Sequence, residues 1–506
     1  MPLIDSVVSR AAYAAPDRIA VREWESGRTF TYSDLDAAIS ALAAWLKAHG
    51  LNSGDAVAIH LPNSFEFLVA QFASFRFGGV AAYINFRLAP AEAARQMKLA
   101  RVRAIVTTSE KAAIFREDPD FRDVLVIQKD GAGSAGTAIA DVISAGGRID
   151  FDGSGGEDRD AIARFTSGST GSPKGVLVTH RAWLIRAVSM LSEEMQIVPF
   201  SSTLVLGPLT HQAGLFVIPT FLRRGTMVLL EDFDVEKVGA VLSSERISCT
   251  QMVPTIMHLV LETPPARKAF RNSGLDRLIY GGSPVRQAVL EDALQLLPAT
   301  EFIQGYGSHE AGAISYLDGA AHRDPILRHS AGRPFLAAEI RIRKAASEDL
   351  GEIEVKAPWL PHARLTEAGR EPITDEWAAT GDLGEMKDGF LFLRDRLNDV
   401  IISGGFNVYP MEIEKVLNLH PDILGAAVVS APDDRWGERV IAFVVPRDAA
   451  AFSEQNLRDH CRGSLANYKV PKEFHAIAEI PLNANGKPDR RRLSQTMWAG
   501  QERRIN

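Results

Sequence analysis

Two cysteines in 506 residues, Cys249 and Cys461, are too few and too far apart for a disulfide framework or a thiolate metal site. Such usage fits a reducing compartment, and the cytoplasm is the expected one. Long apolar runs are also missing. The most apolar stretch, Phe65 to Ile84, is broken by Glu66 and Arg76 and predicts a buried helix followed by a strand, not a membrane span. Met1 to Ala15 carries Asp5 and Arg10 among its apolar residues and so does not read as a secretory leader. Positive charge is scarce: 56 Lys and Arg against 63 Asp and Glu leave a formal charge of −7, which argues against general nucleic-acid binding. An anionic ligand must then be met by a local positive field and by a metal ion. No repeat of fixed period is present.

What the chain has is apolar content, 46%, ample for at least two buried cores. Ser33 is a candidate cap for a helix whose apolar positions Leu35, Ile39, Leu42, Ala43 and Leu46 recur at helical spacing, with Gly50 as its stop. Val57 to Leu61 then reads as a strand. Buried strands recur at Ala104 to Thr107, Leu204 to Leu206, Met227 to Leu230 and Leu278 to Tyr280, so the fold class is α/β, layered sheets covered by helices. Near residue 395 the character changes. Arg394-Asp395-Arg396-Leu397-Asn398-Asp399 is a charged connection between short strands, and beyond it about a hundred residues predict a small α+β domain. The expected division is a large domain over 1–396 and a small lid over 399–506.

The chemistry concentrates in Phe165-Thr166-Ser167-Gly168-Ser169-Thr170-Gly171-Ser172-Pro173-Lys174-Gly175. Glycines let backbone N–H groups approach an anion, hydroxyls donate further hydrogen bonds, and a lysine adds a compact charge that can follow a moving phosphate. The preceding Gly-Ser tract reads as a linker, but Ala161 to Phe165 and Val176 to His180 flank this loop with ordered strands, as a site requires. No Gly-Lys-Ser/Thr follows the glycines and no Gly-x-Gly-x-x-Gly appears in this tract, so it is neither of the two commonest nucleotide loops.

The tract closely resembles the signature of the adenylate-forming family, which includes acyl- and aryl-CoA synthetases, luciferases and peptide-synthetase adenylation domains. The resemblance runs from about Thr29 to Leu493, with five motifs in the expected order. It implies ATP, Mg²⁺ and coenzyme A as ligands, with Thr166, Ser167, Gly168, Ser169, Thr170, Gly171 and Lys174 covering the β- and γ-phosphates. Gln304-Gly305-Tyr306-Gly307-Ser308-His309-Glu310 resembles the family's Tyr-Gly-x-Thr-Glu segment, which implies Tyr306 against adenine and Glu310 on Mg²⁺. Relatives usually carry Thr, a phosphate contact, where His309 stands. Gly281-Gly282-Ser283 resembles the adenine-facing glycine turn. Asp382 in Thr380-Gly381-Asp382 is expected to accept from both ribose hydroxyls, with Arg396 as second ribose contact. Lys487, between Gly486 and Pro488, is implied to bind the attacking carboxylate oxygen and the α-phosphate. Arg490-Arg491-Arg492, taken alone, reads as a solvated basic run.

Pro208-Leu209-Thr210-His211-Gln212 resembles the segment lining the acyl tunnel, which puts His211 and Gln212 in the acid pocket beside Met252, Gly281, Gly305 and Ala311. For the second half-reaction the family rotates its small domain about a hinge, here Asn398, where relatives usually have Asp or Lys. Rotation would exchange Lys487 for Ser403-Gly404-Gly405, whose small residues suit a pantetheine channel. Trp436, Arg87, Tyr468 and Lys469 are candidates for holding CoA.

The function implied is that of an ATP-dependent acyl- or aryl-CoA synthetase acting on a medium-chain or aromatic acid: acid and ATP give acyl-AMP and pyrophosphate, then CoA gives the thioester and AMP. Two rivals are a stand-alone enzyme loading a carrier protein in trans and a nucleotide-binding sensor or interaction protein without turnover. His309 and Asn398 speak for the sensor, Lys487 against it. A homodimer is compatible with the sequence, which does not decide the oligomeric state.

Overall fold

The computed structural model describes residues 3–131, 135–149, 155–167, 173–344, 350–448, 450, 452–482 and 489–498. A large N-terminal domain and a smaller C-terminal domain divide the chain, and mixed α/β layering is the outcome expected from the sequence. The first sheet has nine strands among the described residues. Ala56–His60, Val80–Tyr83, Ala104–Thr107 and Leu125–Gln128 run parallel, and β1 (Asp160–Ser167) adds in parallel beside Val80–Tyr83. β1 then turns into antiparallel β2 (Pro173–Thr179), which leads into α1 (His180–Ser189).

A second nine-stranded sheet, again among the described residues, contains the parallel strands Ser202–Val205, Thr226–Leu229, β3 (Cys249–Met252), β4 (Arg277–Gly281) and β5 (Glu301–Ser308), followed by antiparallel β6 (Gly312–Leu317). The main core lies between the two sheets. Leu35, Phe67, Phe72 and Trp183 from intervening helices pack there on Val57, Ile59 and Ile162 of one sheet and on Val205, Ile279 and Ile303 of the other. Further apolar clusters cover the outer faces, so helices and sheets alternate in five layers.

The helix Phe65–Arg76 shows why its sequence is apolar all round: every residue of it is buried, as a helix between two sheets requires. Ser64 caps it, accepting from Phe67 N. Its two charges are paired, Glu66 with Arg28 at 3.0 Å and Arg76 with Asp5 and Asp36 at 3.0 and 2.6 Å, which is the condition for burying them. The neighbouring helix Tyr32–Ala48 is capped two residues earlier than the sequence suggested. Thr31, not Ser33, is the cap, because Thr31 and Asp34 exchange both hydrogen bonds of a capping box.

A four-stranded antiparallel sheet closes the large domain with Glu339–Lys344, Gly351–Lys356, β7 (Ala378–Lys387) and β8 (Phe390–Arg396). After a 3₁₀ turn over Leu397–Asp399, the small domain builds its own sheet from β9 (Ile401–Ser403), β10 (Phe406–Val408), Gly437–Pro446, Ile423–Asp433 and Glu473–Ala476. It packs on α2 (Pro410–Leu417) and Glu454–Ser464, with Val428, Ala442, Leu457 and Phe474 in its core. Ser453 caps the latter helix, its Oγ accepting from Asn456 N. No helix among the described residues is long and apolar enough to cross a membrane.

Candidate active site

The strand ends of the second sheet meet at Gly281, and the third sheet approaches them at Tyr306. β4 and β5 are in register there, Gly281 beside Gly305, and a Cβ on Gly281 would stand 2.2 Å from the Gly305 carbonyl oxygen. Gly282 follows at φ +83°, a conformation side chains disfavour, and leads into Ser283. Only glycine permits this close approach. On the opposite side of the strands, the Tyr280 hydroxyl donates to Gln304 Oε1 at 3.3 Å and meets His322 Nε2 at 2.8 Å.

The next residues of β5 carry the strongest polar contact of the site. Tyr306 donates its hydroxyl to Asp382 Oδ2 at 2.7 Å. Burial, followed by the Asp382 charge, holds the Tyr306 phenol well above its ordinary range, so it stays a donor. Arg396 is the cross-strand partner of Asp382 between β7 and β8, its Nε 3.5 Å from Asp382 Oδ1. Gly381, at φ +74°, turns the chain just before, and Thr380 Oγ1 accepts from Asp382 N. Three residues proposed for one nucleoside from separate motifs are therefore neighbours.

Past Tyr306, β5 is bulged, and a Cβ on Gly307 would meet the Gly312 carbonyl oxygen at 2.2 Å. The turn so formed holds His309 and exposed Glu310, with Ser308 Oγ accepting from Ala311 N at 2.9 Å. Arg164 Nη2 lies 3.4 Å from His309 Nδ1. An arginine only donates, so Nδ1 accepts and the His309 proton sits on Nε2. Burial, then Arg164 and His211, drive the His309 pKa well below the usual imidazole range and keep it neutral. Glu310 also acts on Arg164 through space. As a lone exposed carboxylate it suits Mg²⁺, which takes one or two carboxylates together with substrate phosphates. No cluster of three metal-ligating side chains occurs among the described residues.

His211 stands just before the short 3₁₀ turn Gln212–Phe216 and Gln212 opens it. Thr210 Oγ1 is 2.9 Å from His211 Nδ1, and Gln212 lies against the glycine turn, its Oε1 3.0 Å from where a Gly282 Cβ would be. Gln251 Nε2 donates to Gln212 Oε1 at 3.2 Å. Met252, expected in the pocket wall, packs instead in the outer cluster with Leu204 and Tyr280, because strand alternation turns it to the other face. Gln251, its neighbour on β3, is the residue that reaches Gln212. Ala311 is fully buried in a small cluster packed against Tyr306.

Gly168, Ser169, Thr170, Gly171 and Lys487 lie outside the described residues, as do the side chains of Thr166, Ser167 and Asn398. In backbone terms Thr166 and Ser167 end β1, in register with Lys174 and Pro173, and Lys174 is exposed.

On the small domain the CoA candidates form one surface. Gly404 and Gly405, both at positive φ, turn between β9 and β10, and a Cβ on Gly404 would strike the Trp436 ring at 2.6 Å. Ser403 is buried opposite Gly437. Phe406 stacks on Tyr468 at 4.7 Å, and Lys469 pairs with Glu412 at 2.6 Å. Arg87 belongs to the other domain, on a shallow cleft that it shares with Asn63, Pro208 and Thr210.

Sequence reasoning missed several charged groups. Arg490 is no solvated basic residue: it pairs with Glu414 at 2.6 Å and Asp399 at 3.2 Å. Beside it buried Asp395 accepts from Met411 N and Arg396 N, both at 2.8 Å, and burial pushes its carboxyl up to about 7. Arg164, Arg186 and Glu194 were also unforeseen. The one available signal was Arg186 inside the otherwise apolar Ala182 to Val188.

Fold and site together define a two-domain α/β enzyme organised around glycine-lined strand ends. Residues 8–361 match the family model described as AMP-binding enzyme, and residues 412–487 match that of the AMP-binding enzyme C-terminal domain. The chain belongs to the AMP-binding enzyme family. It is 31% identical over 499 residues to the fatty acid–[acyl-carrier-protein] ligase ScoC of Streptomyces coeruleorubidus, covering 95% of this chain and 94% of that protein. To a feruloyl-CoA synthase of Amycolatopsis sp it is 32% identical over 489 residues, 94% of this chain and 96% of the other. The solved structure of the amide bond synthetase McbA from Marinactinospora thermotolerans superposes with a TM-score of 0.86 at 27% identity, covering 97% and 99% of the two chains.

Proposed function

We propose that this protein is an ATP-dependent acyl- or aryl-CoA synthetase. The observation that carries the reading is the Tyr306–Asp382–Arg396 cluster beside the glycine wall: an aromatic ring, an acceptor-only carboxylate and a cation at one strand end suit adenine and ribose together. In this reading Gly281, Gly282, Ser283, Gln304, Gly305 and Gly307 give the base a flat approach, and Asp382 with Arg396 holds the ribose. Thr166 to Gly171, Lys174 and neutral His309 face the phosphates.

An acid oxygen attacks the α-phosphorus, the bond from that phosphorus to the bridging oxygen breaks, and pyrophosphate leaves. Lys487 holds the attacking oxygen and the α-phosphate as their charges approach, which is the main electrostatic task of the step. Glu310 holds Mg²⁺, which when bound neutralises phosphate charge. The CoA sulfur then attacks the acyl carbon, the bond to AMP breaks, and the thiol proton goes to solvent.

For that second step we assign the large domain to 1–396 and the lid to 399–506, with rotation at Asn398. The salt bridges of Arg490 and the Asp395 to Met411 hydrogen bond tie the hinge segment to the lid in the present arrangement. Gly404, Gly405, Trp436, Tyr468 and Lys469, lying on one face of the lid, support CoA as acceptor, with Arg87 across the cleft for its phosphates. Similarity to ScoC supports a second reading, delivery to a carrier-protein thiol. Two buried, unpaired cysteines support a cytoplasmic setting.

Acid-dependent exchange of labelled pyrophosphate into ATP across a panel of aliphatic and aromatic acids tests the first step. CoA and a pantetheinylated carrier offered in parallel test the second. Thioester on CoA is the expected outcome; thioester on the carrier alone would leave only the second reading.

A further inference from the structure

Strand alternation gives the glycine wall two sides. Tyr280 packs in the outer cluster, whereas Ile279 and Ile303 face the main core, and Gly281 and Gly305, two residues further on, share their side. On that side Gln212 covers Gly281, its Nε2 3.5 Å from where a Cβ would stand. Glu194 covers Gly305, its Oε1 2.3 Å from the corresponding point. Gly281 and Gly305 are register partners on adjacent strands about 4.8 Å apart. Gln212 and Glu194 therefore lie side by side along one wall.

Glu194 comes from the π-helical turn Met190–Met195 that continues α1, a distortion frequent at functional sites. It is 3% exposed and Arg186 5%. Glu194 Oε2, Arg186 Nε and His309 Nε2 are buried and meet no hydrogen-bonding group of the described residues. Burial pushes the Glu194 carboxyl up to about 8, with Arg186 acting against it. Arg164 and Arg186 approach the Trp183 ring at 5.7 and 4.9 Å. A buried carboxyl with an unmatched oxygen is costly, and native structures hold few of them.

We propose that Glu194 is a specificity-determining residue that closes the inner end of the acid pocket and selects carboxylic acids carrying a hydroxyl remote from the reacting carboxylate. The proposal rests on the reading that the acid lies along the Gly281–Gly305 wall. A hydroxyl both donates and accepts, so it matches the Glu194 carboxyl in either protonation state. An ammonium group meets two guanidiniums and is repelled. An unsubstituted alkyl or aryl end leaves the carboxyl oxygen unmatched.

The test uses the full chain with ATP and Mg²⁺ and two matched pairs, 4-hydroxycinnamate against cinnamate and 10-hydroxydecanoate against decanoate. Pyrophosphate release reports turnover, and calorimetry reports binding of the same acids. The wild type is expected to favour the hydroxylated member of at least one pair by about tenfold in kcat/KM and in affinity. Glu194→Gln, equal in size, narrows that preference, and Glu194→Ala abolishes it while raising kcat/KM for the unsubstituted acid. The KM for ATP stays near the wild-type value. Equal treatment of both pairs by the wild type, a preference that survives Glu194→Gln and Glu194→Ala, or a stronger preference for decanedioate overturns the proposal. Hydroxyl-dependent binding without pyrophosphate release upholds the subsite and defeats the adenylation reading; release that ignores the hydroxyl does the reverse.

Discussion

Replacing Tyr306 by phenylalanine removes one oxygen and tests the nucleoside site at its centre. The ring that faces the base remains, but Asp382 loses the donor at 2.7 Å. A hydrogen bond to a charged group contributes about 1.5–3 kcal/mol. The Asp382 side chain is 16% exposed, so water replaces part of that loss, and the lower end of the range applies. The expected effect is a rise of about tenfold in the KM for ATP, since 1.4 kcal/mol is one decade, with a smaller change in kcat. Asp382→Asn alone is more harmful, because ribose loses its acceptor. In the double variant the Tyr306 change costs little more, giving a coupling of about 1–2 kcal/mol in a double-mutant cycle. The assay is pyrophosphate release against ATP concentration at saturating acid, checked by calorimetric ATP binding. An unchanged KM for Tyr306→Phe, or strictly additive effects in the double variant, would refute the reasoning that Tyr306 orients the ribose carboxylate.

Gly281→Ala places a Cβ 2.2 Å from the Gly305 carbonyl oxygen, so backbone must move; a loss of about 1–3 kcal/mol in stability and of most adenylation is expected, read by thermal unfolding and pyrophosphate release. For pH, Glu194 has its folded pKa raised to about 8 from 4.5, so the folded state keeps a proton that the unfolded state releases. Its contribution is fully present below about pH 4.5 and is lost as pH rises towards 8, at up to ~1.4 kcal/mol per unit. Asp395 adds a slope of the same sign up to about pH 7, so Glu194→Gln should reduce the pH dependence of urea-unfolding midpoints from about pH 4.5 to 8 and leave only the Asp395 slope, which ends near pH 7. Lys487→Ala should remove most adenylation yet spare thioester formation from supplied acyl-AMP, with equal loss in both assays contradicting the two-step reading. Trp436→Ala should raise the CoA requirement without altering pyrophosphate release, and a change in the first step would contradict that role.

The elements of the large domain were legible because their signals are local. Phe65 to Arg76 is apolar on all faces, and Ala104 to Thr107 is a short β-branched run; both appear where expected. Ser33 misled because Thr31 satisfies the same capping rule with a better partner in Asp34. At the site, Tyr306, Asp382 and Arg396 were each identified from their own segment, but their mutual contact depends on the pairing of β7 with β8 and on the approach of β5, which sequence spacing does not contain. Met252 and Gln251 are sequence neighbours whose side chains strand alternation sends to opposite faces, Met252 into the outer cluster and Gln251 to Gln212. Glu194 and Arg490 were invisible for a different reason. A charge reads as solvated until packing buries it, and their partners are 8 to 91 residues away in the chain.

A single-turnover reaction followed by mass spectrometry tests the central claim most directly. The full chain is mixed with ATP, Mg²⁺ and the acid that best supports pyrophosphate release, quenched before and after addition of CoA. The account predicts acyl-AMP and an equal amount of pyrophosphate before CoA, and conversion of that acyl-AMP into acyl-CoA and AMP afterwards. Absence of acyl-AMP with every acid tried, or acyl-AMP that persists when CoA is added, would contradict it.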